Sequence, residues 1–81
     1  MNIELPNGWE VKKQLSHRFD VRYEVYRSGT EVAFIYMYLA SRTWRIVTHK
    51  TRIGIDLGST WQDVEQNLQP TLAALIVRGE I

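Results

Sequence analysis

The sequence contains no cysteine and only two prolines. Without cysteine there can be neither a disulfide nor a thiolate metal ligand, and missing bridges in so small a domain fit a reducing compartment. Long apolar runs are missing too, since no stretch approaches the ~20 residues a membrane helix needs. The opening MNIELPNGWE lacks a basic segment followed by an apolar one, so no secretory signal is expected. A cytoplasmic protein with no membrane partner is the resulting expectation. Internal repeats, linkers and low-complexity tracts are absent as well. Net charge is only +1, so no strong field of one sign surrounds the chain.

What is present is ordinary for a folded domain, with 44% hydrophobic and 23% charged residues, which argues against disorder. Eighty-one residues, 1–81, make a single domain. A chain of this length buries only about 60–65% of the surface its unfolded form exposes, so it gains from a partner. The charge is unevenly spread. Residues 42–52, RTWRIVTHKTR, hold Arg42, Arg45, Lys50 and Arg52 and no acid, whereas residues 53–81 hold four acids against Arg78.

Pro6-Asn7-Gly8 reads as a turn, and Trp9 to Gln14 as a modest first strand. In RFDVRYEVY, Phe19, Val21, Tyr23 and Val25 alternate with Arg18, Asp20, Arg22 and Glu24, the period of a strand with one buried face. Arg27-Ser28-Gly29 turns the chain into VAFIYMYLA, Val32 to Ala40, where the alternation disappears and both faces of a strand would be apolar.

The register of this hairpin decides which row faces outward. A two-residue Ser28-Gly29 loop pairs Tyr23 with Phe34 and sends Phe34, Tyr36 and Tyr38 into the core. A three-residue loop with a bulge at Gly29 opposes Tyr23 to Ala33 and places the aromatic row beside the charged residues. The second is favoured, because Ser28-Gly29 is a poor type I′ pair. In either case, an apolar row of the third strand shares a face with the charges of the second.

TWRIVT reads as a fourth strand and RIGIDL as a short fifth, with Ile53, Ile55 and Leu57 inward. Ser59-Thr60-Trp61-Gln62 has the form of a capping box opening a helix. Pro70 is expected to kink that helix or split it, and Gly79 to end it. The expected fold class is α+β: a four- to five-stranded antiparallel meander with a kinked C-terminal helix packed on one face.

Few residues point to chemistry. IGIDLGST, Ile53 to Thr60, resembles the first phosphate loop of the Hsp70, actin and sugar-kinase superfamily, where such an aspartate and glycine sit near nucleotide phosphates and metal. The likeness covers eight residues of a family built from two large lobes, and there the loop leads into another strand. Here a capped helix follows, so the stretch reads as a strand end, a turn at Gly58 and a cap. Free amides at that helix start, near Thr60 and Trp61, are a weaker site for an anion. His17 and His49 lack metal-ligand spacing, Ser16-His17 lacks an orienting acid, and the carboxylates form no close pair. No enzyme activity, cofactor or metal is therefore expected.

The functional expectation is a small non-enzymatic protein-binding module, regulatory, adaptor or inhibitory. It would bury the second apolar row of the third strand against another protein or a second copy of itself. The candidate residues are Arg18, Arg22, Phe34, Ile35, Tyr36, Met37, Tyr38 and Arg45, with Asp20 and Glu24 helping to set orientation through charge. The alternative is weak nucleic-acid binding through Arg42, Trp44, Arg45, Lys50 and Arg52, with phosphate contacts from the cations and stacking from aromatic rings.

Overall fold

A computed structural model describes residues 5–15 and 21–81. Five strands form one antiparallel sheet in sequence order: β1 (Trp9–Leu15), β2 (Val21–Arg27), β3 (Thr30–Tyr38), β4 (Thr43–Thr48) and β5 (Gly54–Gly58). One helix, α1 (Trp61–Val77), follows and packs on a single face. The α+β meander expected from the sequence is thus the observed architecture. Arg18, Asp20, Phe19 and His17 lie outside the described residues.

The hairpin between β2 and β3 resolves the register in a way the sequence reading missed. Arg27 pairs with Thr30 across a two-residue Ser28-Gly29 loop. Both loop residues have positive φ, 51° for Ser28 and 82° for Gly29, the signature of a type I′ turn. Ser28 adopts the left-handed conformation that a type I′ turn requires, although serine is not a preferred residue there. A bulge then inserts Val32 into β3, so Tyr26 opposes Glu31 while Val25 opposes Ala33. Beyond it Tyr23 pairs with Ile35, neither with Phe34 nor with Ala33. The facing of the strand is nevertheless that of the bulged alternative, because one extra residue inverts every side chain after it.

Beneath the helix, Val25, Ala33, Ile35, Ile46 and Leu57 form the sheet's buried layer, closed by Val64, Leu68 and Leu72. These helix positions recur at the three- and four-residue spacing that lines one face. Tyr23, Trp44 and Trp61 lock the helix start to the sheet. Tyr23 and Trp61 stack at 4.3 Å, and Trp44 meets Trp61 edge-on at 5.0 Å.

The helix start departs from expectation. Thr60, not Ser59, is the N-cap, and its capping-box partner is Asp63, not Gln62. The Thr60 hydroxyl accepts from the Asp63 amide at 3.1 Å, and the Thr60 amide donates to the Asp63 carboxylate at 3.1 Å. These bonds, from the Thr60 backbone foremost, hold the Asp63 carboxyl below its ordinary value. Of the two outcomes expected at Pro70, the split into two helices does not occur: α1 continues through it. Pro70 itself is exposed, whereas Leu68, Leu72 and Leu75 on either side are buried. Packing of that stripe outweighs the lost amide bond. Gly79, at φ 73°, ends the helix as expected, with Gly79 and Glu80 amides donating back to the Ile76 and Leu75 carbonyls.

Candidate functional site

Directly opposed residues in an antiparallel sheet project from the same face, so the register alone maps the outer surface. One row across the sheet reads Gln14, Arg22, Tyr36, Arg45 and Asp56. The next reads Lys12, Glu24, Phe34, Val47 and Gly54. Tyr38 and Thr43 pair at one end of the face. Tyr36 therefore stands at the centre, flanked by an arginine on each neighbouring strand.

The two guanidiniums sit over the aromatic row. That of Arg22 is 4.1 Å from the Phe34 ring centroid, and that of Arg45 is 4.1 Å from the Tyr38 centroid. Each cation also holds a carboxylate: Arg22 contacts Glu31 at 3.3 Å, and Arg45 Nε donates to Asp56 at 3.0 Å. Thr43 donates a further hydrogen bond to Asp56. The Tyr26 hydroxyl donates to Glu24 at 2.9 Å, and this bond pushes its pKa up. His49 Nε2 pairs with Glu31 and its ring lies 5.5 Å from that of Phe34. Burial alone would raise the Glu31 pKa, but a hydrogen bond shared with Glu24, the bond to His49, and the charges of His49 and Arg22 outweigh it and hold the carboxyl below its ordinary value.

The candidate binding residues divide. Arg22, Phe34, Tyr36, Tyr38 and Arg45 come together on the outer face. Ile35 does not, being fully buried under α1, and Met37 pairs with Trp44 on the helix side. The bulge at Val32 is the cause, since it assigns these alternate positions to the core. Val47, Tyr26 and His49 belong to the outer surface and were missed. The two-residue period of TWRIVT puts Val47 on the side of Arg45, and strand pairing sets it opposite Phe34.

The basic segment is dispersed. Arg42 lies before β4 and Lys50 and Arg52 after it, and a six-residue strand separates those ends by roughly 20 Å. Trp44 faces the helix, opposite to Arg45. Arg45 is committed to Asp56. The aspartate and glycine of IGIDLGST are equally occupied: Asp56 holds Arg45, and at Gly58 an added Cβ would sit 2.3 Å from that of Asp63.

Two shallow hollows flank the sheet, one of about 350 Å3 lined by Glu31, Val32, His49, Lys50 and Ile81, the other of about 320 Å3 lined by Val11, Lys13, Tyr23 and Trp61. Among the described residues no three His, Asp or Glu side chains gather as metal ligands. No helix there is long and apolar enough to cross a membrane. No family model matches the chain, and no curated protein or solved structure is significantly similar to it.

Proposed function

We propose that the chain is a small non-enzymatic protein-binding module, regulatory, adaptor or inhibitory, whose outer sheet face meets another protein. The observation that carries this reading is the aromatic row of the central strand. Phe34, Tyr36 and Tyr38 lie on the face opposite α1, with the Arg22 and Arg45 guanidiniums and the His49 ring against them; Phe34 and Tyr36 are half-buried and Tyr38 is exposed.

Magnitudes support it. A five-stranded sheet is about 24 Å wide at ~4.8 Å per strand and about 20 Å long, so the whole face, charged and apolar side chains together, spans roughly 500 Å2. Covering about 200 Å2 of aromatic surface contributes about 5 kcal/mol before the costs of association.

The charges on the face are neutralised locally, so affinity comes from burying the rings and orientation from Arg22, Glu24, Glu31 and Arg45. A phosphate backbone would have to displace Glu31 and Asp56 from the two arginines. With Arg42, Lys50 and Arg52 at opposite ends of β4, nucleic-acid binding has less support.

The test is a comparison of native chain with Tyr36→Ser and Phe34→Ser as baits in lysate of the native host, followed by calorimetry with whatever the native bait retains. A protein held by the native chain and lost from both variants, with the fold intact by circular dichroism, is the expected result. Equal retention by all three baits would refute the outer face as the docking surface, and high-affinity oligonucleotide binding in its place would favour the alternative.

A further inference from the structure

Among the described residues β1 is an edge strand of seven residues, with β2 on one side only. The Ser28 amide donates to the Gly8 carbonyl at 2.7 Å, and the Trp9 amide turns back to Pro6. These bonds fix the alternation along β1. Glu10, Lys12 and Gln14 direct their main-chain groups to β2, while the amides and carbonyls of Val11 and Lys13 point to the open edge.

A row of free backbone groups is a template for another strand unless side chains forbid it. Three neighbouring antiparallel registers keep both copies' inner faces aligned. Centred on Lys12, the pairing sets lysine against lysine. Centred on Glu10, it sets glutamate against glutamate. Centred on Val11, it opposes Glu10 of each copy to Lys12 of the other on the outer face. On the helix side it opposes Trp9 to Lys13, with Val11 against Val11. Only that register is complementary in charge.

We propose that β1 is a self-association edge, taking β1 of a second copy in antiparallel register about Val11 and joining two sheets into one. The two-fold axis runs normal to the sheet, so both outer faces lie on the same side. Their combined area is roughly 1,000 Å2, comparable with the ~800 Å2 per partner of a standard interface. Self-association uses none of the outer aromatic row, so this inference and the protein-binding reading stand or fall separately.

Charge reversal and cross-linking test it on the intact chain. Sedimentation of the native protein should show a concentration-dependent dimer. Glu10→Lys and Lys12→Glu should each self-associate roughly tenfold more weakly, because each sets like charges opposite one another twice. Mixed, the two variants should recover association as a heterodimer. Since the chain has no cysteine, Val11→Cys reports its register directly. It should form a symmetric disulfide dimer under mild oxidation, whereas Glu10→Cys and Lys12→Cys, offset by two residues from their own copies, should not when oxidised alone. A native monomer at every concentration, a dimer indifferent to both charge reversals, or self-cross-linking equally strong at all three positions would overturn the proposal.

Discussion

Two residues carry more of the fold than their neighbours. Gly58 has φ 131°, and a Cβ there would fall on the side chain of Asp63, the capping-box partner of Thr60. Gly58→Ala should therefore destabilise the protein by about 2–4 kcal/mol, through backbone strain and a displaced cap, as measured by urea unfolding. Glu31 links the outer face to pH. Its folded carboxyl lies below the ordinary value, so its contribution is fully present above the unfolded pKa and disappears as pH falls through the folded one. Native protein should melt above Glu31→Gln near neutrality, and the gap should close as acidification passes below the ordinary glutamate range. A gap that widens in acid would mean that Glu31 is not held ionised by Arg22 and His49.

Among the elements, the legibility of the sequence followed local chemistry. β4 was readable to its ends, because TWRIVT lies between turn-forming residues and is rich in β-branched and aromatic side chains. β3 was not, since its bulge depends on partners in β2 and on the depth of the core at Ala33, which no local pattern records. The capping box was displaced by one residue because two hydroxyl residues precede the helix, and only Thr60 is spaced to pair with Asp63. α1 shows tertiary packing overriding propensity. Its buried leucines hold a continuous helix across Pro70, where an isolated peptide would break. Pro70→Ala should restore an amide bond at an exposed position and raise stability by about 1–3 kcal/mol, visible as a higher melting temperature. A lower melting temperature would show that the ring itself contributes to packing.

On the scale of the whole molecule, one helix cannot cover two faces of a five-stranded sheet. The side it covers is sealed by aliphatic residues and by the Tyr23, Trp44 and Trp61 rings. The other side carries rings under stacked arginines. The sequence already showed that β3 has two apolar rows; which one is buried required long-range pairing, and so Ile35 and Met37 could not be separated from Phe34, Tyr36 and Tyr38 in advance. Because Tyr36 is half-buried on the side away from α1, Tyr36→Ser should lower the free energy of unfolding by about 1 kcal/mol while removing partner binding. A comparable change in Ile35→Ser, on the sealed side, should cost several times more.

Oxidative footprinting of the tyrosines tests the central claim most directly, with the isolated chain compared against its complex with a protein retained by the native bait. Tyr36 and Tyr38 should react in the free chain and become protected in the complex, while Tyr23, stacked on Trp61 beneath the sheet, stays unchanged. Protection confined to Tyr23, or unaltered reactivity of Tyr36 and Tyr38 in a complex that demonstrably forms, would contradict the assignment of the outer face.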